Sequence, residues 1–302
     1  MKKLIVFSIG LLSLLPLKAQ QDPMFSQYLY NMLALNPAYA GSRDQVSSVL
    51  FYRNQWTGFE GAPVTYNASV HSPFRRSNGA WGINASSDKI GIQKENFINL
   101  NYAYRIIGPK GRLALGLSGG MYQYGYDYNE LQLKGQGDPL FQGSESYQLY
   151  NFGFGAYYQT GKLALGLSVP HLVTSKVSDK EAFKAVNPVN HVFVTGSYLF
   201  FINDDYVFKP SMMLRYVNNA PVHADLNATL IYKQSFYFGL SYRTMNELSV
   251  MAQYQLNKHW WFGYAYDVPT GIVKNVSRGS HELFVGFEIS LDKTKLLSPR
   301  YF

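Results

Sequence analysis

Lys94 to Ile107 reads KENFINLNYAYRII, and from Ile98 onward every second residue is large and apolar: Ile98, Leu100, Tyr102, Tyr104 and Ile106. The residues between them, Asn99, Asn101, Ala103 and Arg105, are small or polar. A period of two places successive side chains on opposite faces of a strand. The pattern returns in Glu247 to Asn257, where Leu248, Val250, Ala252, Tyr254 and Leu256 oppose Ser249, Met251, Gln253 and Gln255. It returns again in Glu282 to Ser290, where Leu283, Val285, Phe287 and Ile289 oppose Gly286 and Glu288, with Phe284 as an exception. A soluble sandwich alternates too, but its wet face carries more Lys and Glu than the Asn, Gln, Ser and Gly found here. The alternation therefore predicts an all-β fold whose apolar set faces lipid and whose small, polar set encloses a lumen.

Extending the pattern outward gives about fourteen strands between residues 45 and 291. Gly108-Pro109-Lys110, Thr160-Gly161, Asn203-Asp204-Asp205, Gln234 and Lys258 make tight turns after the fourth, sixth, eighth, tenth and twelfth strands. The long connections, Asp127 to Tyr147, Pro170 to Pro188 and Pro269 to Gly279, follow the fifth, seventh and thirteenth. The expectation is that all very short turns lie at one end and all the longest loops at the other. This is the asymmetry of antiparallel outer-membrane barrels, with short periplasmic turns and an even strand number that leaves both termini periplasmic. The 25 Tyr and 20 Phe fit the aromatic girdles of such a barrel. A tyrosine-rich soluble binding domain would show the same count.

Lys2-Lys3, the apolar run Leu4 to Leu15 and Ala19 read as a secretory signal over 1–19. No cysteine occurs, which removes a lipid anchor, disulfides and thiolate metal sites. No later stretch is apolar for long enough to be a membrane helix. The net charge of +8 includes Lys2, Lys3 and Lys18 of the leader and contains no like-charge run that points to nucleic acid.

Residues 20–44 precede the alternating region. There Phe25, Tyr28, Leu29 and Met32 fall at the spacing of one helical face, which predicts a short helix that Asn36-Pro37 ends. A small amphipathic segment ahead of a wide barrel reads as a plug, with Phe25, Tyr28, Asn36 and Tyr39 as its contacts; the alternative is a helix packed outside a soluble domain. A barrel of this width has more lumen than its own side chains fill. The barrel spans 45–291 in this reading, and 292–302 is a periplasmic tail.

Chemistry is sparse. Gly116-Leu117-Ser118-Gly119-Gly120 satisfies G-x-S-x-G, but alternation runs on through it, whereas a nucleophile elbow needs a strand, a turn and a helix. The six histidines lack metal-site spacing. Asp225 and Glu288 should point into the lumen, with Arg53, Arg105, Arg215 and Arg243 available to pair with them, as buried charges require. The expectation is a non-enzymatic protein without a cofactor. The hexamer LALGLS occurs twice, at Leu113 to Ser118 and Leu163 to Ser168, and reads as lipid-facing leucines with Ala, Gly and Ser turned to a crowded lumen.

Several longer runs are similar to one family. FSQYLYNMLALNPAYAGSR (Phe25 to Arg43), RNQWTGFEGAPVTYNASVHSPF (Arg53 to Phe74), GIQKENFINLNYAYRI (Gly91 to Ile106), GSHELFVGFEI (Gly279 to Ile289) and SPRYF (Ser298 to Phe302) resemble the PorP/SprF outer-membrane proteins of the type IX secretion and gliding machinery. The resemblance implies a component that helps adhesin-like secreted proteins reach and stay on the cell surface. Its expected partners are the C-terminal sorting domain of such a protein, outer-membrane lipid and other secretion components. Trp56, Phe59 and Glu60, between the first two strands on the loop side, are the candidate partner-binding rim. The competing reading is a passive porin or a FadL-like transporter of hydrophobic solutes.

Overall fold

The computed structural model describes residues 24–130, 143–176, 190–218, 220–244, 247–270, 272–291 and 301–302. The leader, much of the two loops expected at 127–147 and 170–188, and most of the expected tail lie outside the described residues.

Strands form where period two predicts them: β1 (Val46–Asn54), β2 (Val64–Pro73), β3 (Gly79–Ile90), β4 (Gln93–Ile107), β5 (Arg112–Asp127), β6 (Ser144–Gln159), β7 (Leu163–Lys176), β8 (His191–Tyr198), β9 (Phe200–Phe201), β10 (Tyr206–Val217), β11 (His223–Tyr232), β12 (Phe236–Arg243), β13 (Glu247–Gln255), β14 (Trp260–Pro269) and β15 (Ser280–Ile289). β8 and β9 are one strand interrupted at Leu199, since both pair with β10, so fourteen antiparallel strands make the sheet. Each strand pairs with its neighbours in sequence, and β1 closes on β15, with Val46 opposite Ile289 and Asn54 opposite His281. Among the described residues every strand has a partner on each side, β7 meeting β8 from Leu163 to Ser168, so the sheet closes as a barrel in lipid demands.

The two faces sort as the alternation requires. Leu100, Tyr102, Tyr104 and Ile106 are exposed, while Asn101, Ala103 and Arg105 between them are buried. Leu117 and Leu240 each expose more than 60% of their surface, which is the opposite of a water-soluble core. Outward aromatic side chains stack across strands near the short-turn end, Tyr206 on Tyr232 (4.9 Å), Phe236 on Tyr254 (4.9 Å) and Trp260 on Phe287 (4.6 Å). At the opposite end Tyr52 meets Tyr66 at 5.2 Å. Rings at both rims are the interfacial girdles of a membrane barrel.

The turns are sorted less strictly than the sequence suggested. The turns after β4, β6, β9, β11 and β13 do share one mouth, the turn end, while the long connections share the other, the loop end. The tightest reversal, Gly91-Ile92 between β3 and β4, nevertheless lies at the loop end, with Gly91 at φ +55°. It is stitched to the β1–β2 loop by Gly91 N–H donating to Gly61 O at 2.9 Å.

The N-terminal segment occupies the lumen, but not as the expected helix. It makes three short 3-10 turns, η1 (Tyr28–Tyr30), η2 (Met32–Ala34) and η3 (Pro37–Tyr39). An amphipathic helix presumes one wet face, and here there is none: Ser26, Gln27, Asn31 and Asn36 are as buried as Tyr28, Met32 and Leu33. Polar residues on every side must find partners in the wall, and short irregular turns aim them better than a regular helix does.

The described chain begins at the loop end, where Phe25 to Gln27 meet β12 and β15, and finishes at the turn end with Tyr301 and Phe302. The first and last described residues therefore sit at opposite mouths. The final two residues also lie inside the barrel, not trailing below it as a tail.

Candidate functional site

The plug meets two kinds of wall. Along β5 to β7 the contact is backbone on backbone. Gly116 and Gly155 are direct cross-strand partners, and Gly166 follows on β7. A Cβ on Gly116 would fall 2.3 Å from Ala38 N, one on Gly155 2.0 Å from Asn36 Oδ1, and one on Gly166 3.2 Å from Asn36 Nδ2. These glycines form a socket for the Asn36-Pro37-Ala38 turn. Asn36 caps η3 by accepting from Ala38 N–H (2.9 Å), and its amide donates to Ala156 O (3.0 Å) in β6. Pro37 takes the first position of the turn, where its missing N–H costs nothing.

This socket explains the repeated LALGLS. The glycine of each copy, Gly116 and Gly166, faces the same plug turn, while Leu115, Leu117, Leu165 and Leu167 face outward. Sequence reasoning turned the small residues of the repeat to a crowded lumen and read residues 20–44 as a plug, but did not join the two.

The opposite wall holds the plug by charge. At the loop end, Arg53 Nη1 lies 2.7 Å from Asp267 and 2.9 Å from Glu282, and its Nη2 lies 3.3 Å from Glu247. Arg243 pairs with Asp225 at 3.0 Å and with Glu247. All six side chains are buried, and carboxylates outnumber guanidinium groups among them. The plug supplies further donors: Ser26 N–H and Gln27 N–H donate to the two Glu282 oxygens (2.8 and 2.9 Å), and Arg53 Nη1 donates to Ser26 Oγ (3.0 Å). Deeper in, Asn31 donates to Asn67 (2.6 Å) and accepts from Ser69 (2.9 Å), and Asn227 donates to Tyr28 OH (2.9 Å).

The expected lumen charges thus divide into separate groups. Arg53, Arg243 and Asp225 belong to the loop-end cluster, together with Glu247, Asp267 and Glu282, which sequence reasoning missed although each stands at an inward position of its strand. Arg215 is buried on the β10 wall beside His223 of β11. Glu288 takes Arg43 of the plug (3.1 Å) and Ser47 (3.1 Å). Arg105 binds Asp44 (2.9 Å) at the bend from plug into β1, and Arg112 joins the same carboxylate. Asp44 makes that bend at φ +56°.

Of the expected plug contacts, Phe25 packs with Phe51 (5.1 Å) and Tyr39 with His71 and Tyr157 (5.3 Å each). Phe284, the exception in its strand, belongs to this core: it stacks on Tyr30 (5.6 Å) and Phe51 (5.0 Å), in space that Gly263 leaves open. The voids left beside the plug, such as that bounded by Tyr30, Asn31, Arg43, His71 and Glu288, are about 10 Å³, room for one water.

The rim residues sit at the loop-end mouth as expected. Phe59 and Glu60 are exposed and Trp56 is half-buried at φ +52°. Trp56 N–H donates to Ser280 Oγ, Thr57 N–H to Gly279 O (2.8 Å) and Arg278 N–H back to Thr57 O (2.9 Å), so the β1–β2 loop is tied to the β14–β15 loop. Ser118 lies mid-strand in β5. Among the described residues no three His, Asp or Glu side chains gather as a metal site.

A closed barrel with an apolar exterior, aromatic rims and a lumen filled by its own N-terminal segment defines an outer-membrane β-barrel protein. Among solved structures the chain is similar to Omp33 of Acinetobacter baumannii, with 9% identity, a TM-score of 0.50, and coverage of 81% of this chain and 98% of that one. It is also similar to the CymD monoaromatic hydrocarbon channel (13% identity, TM-score 0.48, 88% and 92% covered) and to the Ralstonia pickettii toluene transporter TbuX (11%, 0.47, 85% and 92%). No curated protein matches it. The family described as type IX secretion system membrane protein PorP/SprF matches residues 17–287, and the chain belongs to that family. Membership associates it with the secretion machinery.

Proposed function

We propose that this protein is a non-enzymatic outer-membrane component of type IX secretion and gliding. In this reading it docks the C-terminal sorting domain of adhesin-like secreted proteins at its loop-end mouth, with the short turns in the periplasm. One observation supports it above others: the lumen is filled by a plug fixed to both walls through buried polar contacts. A barrel so filled offers a partner its loops instead of a path through its centre. The rim supports the same reading, because Phe59 is half exposed on a loop already held in place by Gly279 and Gly91. A preorganised loop loses little entropy on binding.

The test is a clean deletion followed by surface proteomics. One or a few adhesin-like proteins should disappear from the surface or be released while other cargo is exported normally, and unchanged surface display refutes the proposal. Purification from detergent-solubilised outer membranes should bring down a sorting domain, with or without other secretion components. Planar-bilayer recording separates the porin or FadL-like alternative, because a plugged adaptor shows little steady conductance and a passive channel shows much.

A further inference from the structure

Strands β4, β5 and β6 run for 15, 16 and 16 residues, whereas β11 to β15 run for 8 to 10. About 9–11 residues of tilted strand cross a bilayer, so the three long strands project beyond it at the loop end. Their outer face marks where lipid stops: Ile98, Met121 and Tyr150 give way to Lys94, Gln123 and Ser146. The inner face does the opposite and stays aromatic. Cross-strand register sets Gln93, Tyr126 and Glu145 in one row and Glu95, Tyr124 and Tyr147 in the next, with Asp88 of β3 beside Glu95. The Tyr126 ring lies 6.5 Å from that of Tyr128, their planes 13° apart, and 6.4 Å from that of Tyr147, whose hydroxyl donates to Glu145. Tyr126, Tyr128 and Tyr147 are half-buried and Glu145 is exposed. Aromatic faces attract cations, and carboxylates at their edges add charge-assisted hydrogen bonds. The six positions of the two rows hold two carboxylates and no cation, and Asp88 adds a third carboxylate, which favours a positively charged occupant over a neutral sugar.

We propose that the projecting part of β4 to β6 is a docking face for an arginine- or lysine-bearing segment of a partner protein, with Tyr126 and Tyr147 against the cation and Glu145 as its counter-charge. This deepens the docking reading above, on which it rests for the identity of the partner but not for the chemistry of the contact.

The test uses the full chain purified in detergent and a fluorescently labelled GRGRG peptide, read by anisotropy beside the same peptide with citrulline in place of arginine. The arginine peptide should bind about tenfold more tightly than its neutral isostere. Glu145→Gln and Tyr126→Leu should each weaken it about threefold or more, while Tyr126→Phe keeps it within about twofold. Asp204→Asn, at the opposite mouth, should change nothing. Equal binding of the two peptides, an equal loss with Asp204→Asn, or binding of labelled maltohexaose where the arginine peptide does not bind overturns the proposal. Glu145→Gln changes an exposed side chain and keeps the test decisive should Tyr126→Leu disturb the sheet. A negative peptide result, with surface display still lost in the deletion, overturns this inference alone and leaves the docking reading standing.

Discussion

The β5–β7 wall and the wall running from β11 through β15 to β1 grip one plug by different physics. The first is shape: Gly116 and Gly155 remove side chains so that a backbone turn can touch a backbone sheet. The second is charge: Arg53 and Arg243 sit among Asp225, Glu247, Asp267 and Glu282, and plug N–H groups complete the shell of Glu282. Shape fixes position to tenths of an ångström and is indifferent to the medium. Charge buried at such density is stable only while every partner is present.

That contrast can be broken from the charged side first. Arg53→Met should cost about 3–5 kcal/mol, since it strands carboxylates in a dry site. It should free Met24 to Gln27 while the Asn36 turn stays seated. The chain has no native cysteine, so a thiol introduced at Met24 should label rapidly in this background and slowly otherwise. Gly116→Val or Gly155→Val should do the reverse at up to about 3 kcal/mol, the upper part of the usual overpacking range. A thiol at Leu35 should then label while one at Met24 stays protected. Labelling of both positions in both variants would mean the plug moves as one body and the two walls are not independent.

Smaller changes sharpen the picture. Asn36→Ala removes the cap and the amide bonds to the β6–β7 ladder, and should lower stability by about 1–2 kcal/mol in denaturant titration in detergent. Arg112→Gln touches a partly exposed pair that Arg105 also serves, and should cost under about 1 kcal/mol. Phe59→Ala should leave stability unchanged and weaken capture of a sorting domain; a loss of folding instead would remove Phe59 from the rim.

How much of this was legible follows from what alternation encodes. Period two reports which side of a strand a residue faces, so Leu100 and Asn101 were sorted correctly, and the closed sheet followed from strand number and turn spacing. It is silent about what a lumen contains. The helical spacing of Phe25, Tyr28, Leu29 and Met32 misled because periodicity assumes a wet face, and Asn31 is bonded to Asn67 and Ser69 instead. Glu288 could be placed inside but not paired, because its partner Arg43 reaches it only through the plug's path. The doubled LALGLS was a trace of the socket, and its meaning needed the Asn36-Pro37-Ala38 turn beside both glycines.

The seam between β1 and β15 has a consequence for biogenesis. Glu282 and Glu288, near the two ends of the final strand, bind the N-terminal segment at Ser26 and Gln27 and at Arg43, respectively. The last strand to emerge therefore docks on a surface that the earliest part of the chain helps to build. In the finished barrel the closing seam therefore rests on the N-terminal segment as well as on β1, so that the strand which completes the wall also helps to hold the filling in place.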